Sequence, residues 1–262
     1  MPTVFEELIK MMIKYCRHIV LIQLGLVYSK RKILKETNMS LEELNKEIVS
    51  CQKCPRLLAW ASSRQGENTL YKEYNYWGKP VTGFGDINAR LLIIGLAPGA
   101  HGANRTGRPF TGDTAGAYLY SALYRAGFSN KSVSIDRYDG LKLSNTYITN
   151  VVRCVPPKDK PTSIEFTECR DYLRCEMDHL TSVKVILTLG KMAFNQVRRI
   201  LREANANVRC ISFQHGAIYR FGPNYPVLVC SYHTSRRNIS ANIMSDAILD
   251  VIFEKVSVEL SR

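Results

Sequence analysis

The chain has 262 residues, of which 45% are hydrophobic, and a formal net charge of +13 at pH 7. This length and apolar content suit one globular domain with a full core. A membrane span needs roughly 20 consecutive apolar residues; residues 19–27, the longest candidate run, are too few and contain Gln23 and Gly25, which excludes a span. The charge favours a polyanionic partner, with nucleic acid as the first candidate and acidic lipid as the alternative.

The first 38 residues differ from the rest of the chain, because they mix basic and apolar residues and contain no chemical motif. We therefore expect an N-terminal extension of unknown role over residues 1–38 and a globular domain over residues 39–262. Charged residues such as Glu6, Lys10 and Arg17 interrupt the N-terminus, which is not the pattern of a signal peptide. A reducing compartment is expected, in which cysteines bind metal rather than form disulfides.

Strands and helices alternate along the globular domain. After a predicted first helix over residues 40–50 come a cysteine pair and a polar, tyrosine-rich loop over residues 64–80. The alternation predicts an α/β fold, a three-layer α/β/α sandwich around a central, mainly parallel sheet of four or five strands. The predicted strands are 91–96, 146–151, 184–189 and 226–231, with 208–213 as a candidate fifth, and the predicted helices are 114–126, 164–180, 191–204 and 239–260.

Ligands of such folds bind at the carboxyl ends of the strands, which directs attention to the loops after residues 96, 151 and 231. The first of these is GLAPGAHGANRTGRPFTGD, residues 95–113. It is not a phosphate-binding loop of nucleoside triphosphatases, because Arg108-Pro109 stands where Lys-Ser/Thr is required, and it lacks the dinucleotide pattern Gly-x-Gly-x-x-Gly. Its glycines let a ligand approach the main chain, and an aromatic residue beside arginines suits a stacked base next to a phosphate. The side chains it presents are His101, Asn104, Arg105, Arg108, Phe110 and Asp113.

Four cysteines have the pattern of a metal site. Cys51 and Cys54 form a Cys-x2-Cys pair, Cys154 follows a predicted strand, and Cys169 lies on the next predicted helix. Four sulfur ligands suit zinc or an iron–sulfur cluster, and spacing alone does not separate the two. Cys175 is a rival fourth ligand, and simple burial of Cys154 and Cys169 is the alternative to metal binding.

The loop at 95–113, the segment TNVVRCVPPKDKP at 149–161 and the segment HTSRRN at 233–238 together resemble the iron–sulfur uracil-DNA glycosylases of archaea and thermophilic bacteria. Within that group the chain resembles family 5, or type B. The related family 4, or type A, has an acidic residue at the position of Leu96 and lacks the run His-Gly-x-Asn-Arg-Thr-Gly-Arg. The resemblance covers residues 40–250 and implies a DNA-repair glycosylase of the uracil-DNA glycosylase superfamily.

The resemblance also implies a cofactor. In this family four cysteines hold a 4Fe–4S cluster, which assigns Cys51, Cys54, Cys154 and Cys169 as its ligands. The segment Cys-Arg-Asp-Tyr-Leu that begins at Cys169 is similar to the family pattern and favours Cys169 over Cys175. Because hydrolysis needs no electron carrier, the cluster is expected to shape a DNA-binding surface.

A uracil must leave the base stack before its glycosidic bond is accessible. Phe110 is the implied stacking face. Asn150 ends a predicted strand, and its amide can accept a hydrogen bond from N3–H of uracil and donate one to a carbonyl. His233 follows another strand and can donate to O2 as negative charge develops there. The alternatives are a core phenylalanine, an asparagine that satisfies a loop backbone and a structural histidine.

Asp113 directly precedes a predicted helix. It can cap that helix, or its carboxylate can stabilise the cationic sugar or orient water, and it can do both only if one oxygen stays free. Gly95, His101 and Asn104 are expected to contribute to substrate binding, with loop packing as the alternative for the last two.

Arg236 and Arg237 are expected to meet DNA phosphates or to enter the gap left by the flipped base, a solvated charged pair being the alternative. Thr234 departs from the family, in which proline is usual at this position, and the departure concerns the rigidity of the loop more than its role. No lysine is placed as a Schiff-base nucleophile, which predicts hydrolysis without strand cleavage.

The sequence therefore predicts a monofunctional glycosylase that removes uracil and leaves an abasic site. The family 5 resemblance extends this activity to other deaminated bases such as hypoxanthine. The alternatives are a narrow, uracil-specific enzyme like those of family 4 and a non-catalytic cysteine-metal module that binds nucleic acid. We expect a monomeric, cytoplasmic, nucleoid-associated protein of a prokaryote that acts on damaged DNA.

Overall fold

The computed structural model describes residues 39–262, and residues 41–262 form one compact unit. The expected N-terminal extension, residues 1–38, lies outside the described residues. Within the described part of the chain, no helix is long and apolar enough to cross a membrane.

The compact unit is built on one mixed sheet. Its strands are β1 (Phe84–Gly85), β2 (Leu91–Gly95), β3 (Thr146–Asn150), β4 (Val185–Leu189), β5 (Ile218–Tyr219) and β6 (Val227–Ser231). Their spatial order is β1-β3-β2-β4-β6-β5. The four inner strands pair in parallel, and the two-residue strands at the edges pair antiparallel to their neighbours.

Helices cover both faces of this sheet. Every residue of β2, β3 and β4 is buried, and since side chains of a strand point alternately to opposite faces, neither face meets solvent. The helices are α1 (Leu41–Val49), α2 (Pro55–Ser62), α3 (Ala103–Thr106), α4 (Thr114–Arg125), α5 (Ser163–His179), α6 (Lys191–Glu203), α7 (Arg236–Ser240) and α8 (Asp246–Ser261). Helices α4 and α8 pack on one face, with Leu91 and Ile93 in their core.

The predicted α/β architecture and the four main strands are confirmed, each strand to within one residue at either end. The candidate strand at 208–213 was wrong: of its residues only Val208 is buried, and the chain there makes no ladder. Strands β1 and β5 are too short to leave a sequence period. The predicted last helix is divided into α7 and α8, because Ser245 caps a new helix by accepting a hydrogen bond from the Ile248 amide.

The strand order reverses at β2. The chain passes from β2 to β3 on one side and then crosses to β4 on the other. In open α/β sheets such a reversal opens a crevice at the carboxyl ends of the strands. The loops that leave β2, β3 and β6 therefore converge on one end of the sheet.

Candidate active site

Gly95 is the point at which three of the expected site residues meet. It ends β2 and is paired with Asn150 at the end of β3. A Cβ atom placed on Gly95 would lie 2.5 Å from Oδ1 of Asn150 and 2.5 Å from Cζ of Phe110. Glycine is thus the residue that lets the amide of Asn150 and the ring of Phe110 approach each other across the end of the sheet.

Asn150 has an unsatisfied hydrogen-bonding group in this protein. The residue is 3% exposed, and its Oδ1 atom is buried with no hydrogen-bond partner among the described residues. A buried amide oxygen without a partner is costly, and native proteins keep one mainly where a ligand or water supplies the missing bond. Asn150 is therefore poised to bind a donor that enters the site.

Phe110 forms the wall next to this amide. Its ring belongs to the buried core cluster and lies 5.7 Å, between ring centroids, from the imidazole of His233. Its φ angle of 52° is in the left-handed region, which is uncommon for a residue with a side chain. The expected aromatic face is thus part of the core and of the site at once.

His233 completes the group from the loop after β6. Burial lowers its pKa to about 4, so that the imidazole is neutral at pH 7 and offers one N–H donor. The loop is held in place by its own hydrogen bonds: Asn238 donates through Nδ2 to the His233 carbonyl oxygen at 2.8 Å. The structure brings together Gly95, Phe110, Asn150 and His233 as predicted.

Asp113 is the N-cap of α4. Its Oδ1 atom accepts a hydrogen bond from the Gly116 amide at 2.8 Å. The other oxygen lies over the glycine backbone of the same loop, where a Cβ on Gly102 would come within 1.9 Å of Oδ2. Burial raises the pKa of the carboxyl group, although the Gly116 amide and Arg105 oppose the shift. The cap is confirmed. The Ala115 amide also donates to this carboxyl group and opposes the rise of its pKa, and a second role for Asp113 stays a prediction.

His101 and Asn104 are engaged with other parts of the protein. The Nδ1 atom of His101 lies 3.0 Å from the Tyr76 hydroxyl, and its Nε2 lies 3.7 Å from Glu67. Asn104 is 1% exposed and donates through Nδ2 to the Ala61 carbonyl oxygen of α2. These contacts fix the loop against its surroundings, and the contacts of these two side chains are not with Gly95, Phe110, Asn150 or His233.

The two arginines of this loop do not present their charge to solvent, contrary to the sequence expectation of a phosphate beside a base. Arg105 is 7% exposed, donates to the carbonyl oxygens of His101 and Gly112, and lies between the rings of Tyr71 and Tyr74. Arg108 is 3% exposed and binds side chains of the protein. A guanidinium with five donors can hold a folded loop together as readily as it binds phosphate.

Thr234 has a structural role that its sequence did not reveal. It is fully buried, and its hydroxyl donates to the Ala115 carbonyl oxygen of α4 at 2.9 Å. The loop that carries His233 is thereby tied to the helix that Asp113 caps. Where the resembling family has proline, this chain restricts the loop with a hydrogen bond instead.

Arg236 and Arg237 lie on α7, next to the His233 loop, and both are exposed. Neither takes part in an ion pair with a described residue. Two exposed cations beside the site are compatible with an anionic ligand and with a solvated charged pair, so their role in binding DNA stays a prediction.

The four predicted cysteine ligands come together. Burial raises the pKa of Cys54 to about 12, and Cys169 and Cys51 contribute to the shift. The pKa of Cys154 is raised in the same way by burial and then by Cys169, Cys51 and Cys54. The four sulfurs are therefore near enough to influence one another electrostatically.

Cys175 does not belong to this group. Burial raises its pKa to about 11, and the charges that act on it are the carboxylates of Asp178, Asp171 and Glu47. Within residues 39–262, no three His, Cys, Asp or Glu side chains are gathered as closely as ligands of one metal ion.

Comparison with known proteins identifies the family of the chain. The sequence pattern of the uracil DNA glycosylase superfamily matches residues 82–256. A type-5 uracil-DNA glycosylase of Thermus thermophilus is 41% identical over 217 residues, 82% of this chain and 97% of the relative. One of Mycobacterium tuberculosis is 41% identical over 221 residues, 82% of this chain and 80% of the relative. A type-4 uracil-DNA glycosylase of Sulfurisphaera tokodaii is 27% identical over 220 residues, 83% of each chain.

The family match covers more than half of the chain, and the type-5 relatives are aligned over most of their own length. Their identity also exceeds that of the type-4 relative, in agreement with the loop that distinguishes the two types. The chain therefore belongs to the uracil DNA glycosylase superfamily and, within it, to the type-5 family.

Proposed function

We propose that this protein removes uracil from DNA by hydrolysing the bond between the base and C1′ of the sugar. The observation that carries the proposal is the buried, unpaired Oδ1 of Asn150, which lies next to the ring of Phe110 at the end of the sheet. Uracil offers N3–H to this oxygen and a neighbouring carbonyl to the amide nitrogen. Family membership supports the same activity.

The residues divide the reaction among them. Phe110 packs against the extruded base, and Asn150 binds its edge. As the bond to C1′ breaks, the electron pair passes to the base, and the neutral imidazole of His233 donates a hydrogen bond to O2. Asp113, through Oδ2, orients the water whose oxygen joins C1′ or stabilises the cationic sugar. The added water loses one proton to solvent and the uracil anion takes one up, so the products are free uracil and an abasic site.

Base release tests the activity directly. Purified protein in excess is incubated with an end-labelled duplex that carries one uracil, and the products are divided between hot alkali and no treatment. Strand cleavage that depends on alkali supports a monofunctional glycosylase. If duplex binding persists without base release, the non-catalytic nucleic-acid-binding module is the better account.

We propose further that hypoxanthine and other deaminated bases are substrates. Hypoxanthine presents an N1–H beside the O6 carbonyl, the same donor–acceptor edge that uracil presents to an amide. Asn150 can bind either edge. The same assay with hypoxanthine, adenine and cytosine duplexes checks this: release of hypoxanthine but not of adenine supports the broad range, and release of uracil alone supports a narrow enzyme.

A 4Fe–4S cluster held by Cys51, Cys54, Cys154 and Cys169 is also proposed. The support is the group of four sulfur donors and the resemblance to iron–sulfur glycosylases. A bound cluster would cross-link the segment between α1 and α2, the end of β3 and helix α5, and so support the DNA-facing surface. It takes no part in the hydrolytic step.

Metal analysis distinguishes the cluster from zinc. We expect a brown protein with iron and acid-labile sulfide, and the loss of both in Cys169→Ser. Cys175→Ser is the matched control on the same helix and should keep them. A colourless protein that contains zinc would contradict the cluster.

DNA containing the damaged base is the partner, and Arg236 and Arg237 are proposed to bind its phosphates. Removal of one cation that binds a phosphate should lower the slope of log affinity against log salt by about 1. Arg236→Ala and Arg237→Ala are therefore measured against salt, with the exposed cation Arg209, remote in sequence from the site, replaced as the control. If the two variants have the same slope of log affinity against log salt as the control, Arg236 and Arg237 do not bind phosphates and are a solvated charged pair.

A further inference from the structure

We propose that Asp139, acting through Arg108, is a positioning residue for Phe110 in uracil release. Asp139 belongs to the loop between α4 and β3 and lies outside every motif that the sequence resemblance identified. The inference rests on the proposed function, because it assigns Phe110 to the wall against which the base packs.

The pair is buried and bidentate. Arg108 donates through Nη1 to Oδ1 of Asp139 at 2.9 Å and through Nη2 to Oδ2 at 2.6 Å. The two side chains are only 4% and 9% exposed. Two parallel hydrogen bonds between a planar guanidinium and a carboxylate fix both distance and direction, which a single contact does not.

Asp139 is itself anchored. Its carboxylate accepts hydrogen bonds from the amides of Ile135 at 2.8 Å and Leu141 at 2.9 Å, so its own loop folds around it. The same loop gives Arg108 a third partner, since Nη2 also donates to Oγ of Ser134 at 2.6 Å. The carboxylate is thus a fixed point from which the arginine is held.

The constraint passes from Arg108 to both neighbours of Phe110. Nε of Arg108 donates to Oγ1 of Thr111 at 3.0 Å, and that hydroxyl lies 3.1 Å from the Pro109 carbonyl oxygen. The buried Tyr120 hydroxyl donates to the same carbonyl at 3.0 Å. The residues on either side of Phe110 are therefore fixed by buried hydrogen bonds.

Phe110 needs such support because of its backbone. Its φ of 52° is unfavourable for a phenylalanine. Such backbone conformations persist only where the surrounding structure enforces them. The ring placed in this way touches the position of Gly95 and packs near His233. A misplacement of about 1 Å can slow an enzyme by about 100-fold. The Arg108–Asp139 pair can therefore affect the rate of uracil release through the position of the Phe110 ring.

The test is a double-mutant cycle on single-turnover uracil release with enzyme in excess. Asp139→Asn keeps the shape of the side chain and removes its charge. Asp136→Asn is the matched control: it makes the same change in the same loop, and Asp136 forms no ion pair with a described residue. Both substitutions are also made in a Phe110→Ala background, and the folded fraction and the affinity for a duplex with an abasic analogue are measured for each protein.

We expect Asp139→Asn to slow release at least about tenfold while folded fraction and duplex affinity stay at the wild-type values, and Asp136→Asn to leave the rate unchanged. In the Phe110→Ala background, Asp139→Asn should lower the rate of release by less than about twofold, because the ring that Asp139 positions is absent. An unchanged rate in the single variant, or losses that multiply, would overturn the proposal. If Asp139→Asn does not fold, Ser134→Ala takes its place in the cycle under the same two criteria. Failure of the wild type to release uracil would instead overturn the proposed function.

Discussion

His233 is a histidine whose environment keeps it uncharged. Its pKa of about 4 lies below the value of about 6.5 expected in the unfolded chain, because burial disfavours the cation. Between these two values the unfolded state binds a proton that the folded state does not. The contribution to stability is therefore complete above about pH 6.5 and is lost as the pH falls toward about 4.

This linkage gives a prediction for His233→Gln, which keeps an N–H donor but does not titrate. From pH 7 to pH 5 the wild type should lose more free energy of unfolding than the variant, as measured by urea denaturation. Parallel pH dependence in wild type and His233→Gln would mean that His233 is not held neutral by burial.

Asp113 caps α4, and two substitutions separate this role from the one proposed for it in the reaction. Asparagine caps helices about as well as aspartate, whereas alanine loses about 1 kcal/mol. We expect Asp113→Asn to keep the stability of the wild type but to slow uracil release, and Asp113→Ala to lose both. Thermal unfolding and single-turnover rates provide the two readouts; a wild-type rate for Asp113→Asn would leave Asp113 as a cap alone.

At the scale of elements, the site depends on ties between loops and helices. The hydrogen bond from Thr234 to Ala115 joins the His233 loop to α4. Thr234→Val keeps the shape of the side chain and removes the donor, which should cost about 1 kcal/mol in stability and slow base release as His233 loosens. Thr234→Ser, which keeps the hydroxyl, should release uracil faster than Thr234→Val, and equal rates in the two variants would rule out this role for the tie.

The elements that the sequence could predict are those with a strong period or a capping signal. The runs around Leu91, Thr146, Val185 and Val227 are apolar on both faces, and parallel strands between helices have that pattern. The position of Asn150 at the end of β3, and the meeting of three loops at one end of the sheet, followed from this assignment. Strand β1 was missed because two residues show no period, and its antiparallel pairing with β3 is a tertiary contact.

The interactions that hold the site rigid could not be predicted from the chain. Arg108 and Asp139 are separated by a helix and a loop, and nothing in their local sequence indicates that they pair. Arg105 and Arg108 were expected to face a phosphate, because the sequence gives the charge of a side chain but not its burial. From the sequence, Thr234 could be recognised only as a departure from the family. Its hydrogen bond to Ala115 depends on where α4 begins, which the sequence around Thr234 does not indicate.

For the whole molecule, fold, charge and site support one function. The sheet reverses its order at β2, the adjacent loops bring together Asn150, Phe110 and the neutral His233, and Arg236 and Arg237 lie exposed next to them. The net charge of +13 favours association of the protein with the phosphate backbone of DNA. Of the four cysteines proposed to hold the cluster, Cys154 follows β3 by four residues and so lies on the same chain segment as Asn150.

Asn150, whose Oδ1 has no partner among the described residues, is proposed to bind the edge of uracil, and its replacement by alanine removes that interaction. Single-turnover uracil release is compared between wild type and Asn150→Ala, with the affinity for a duplex containing an abasic analogue measured alongside. We predict a loss of at least about 100-fold in rate, as is typical when one preorganised hydrogen-bonding group of an active site is removed, with duplex affinity unchanged. Release by Asn150→Ala at the wild-type rate would contradict the account.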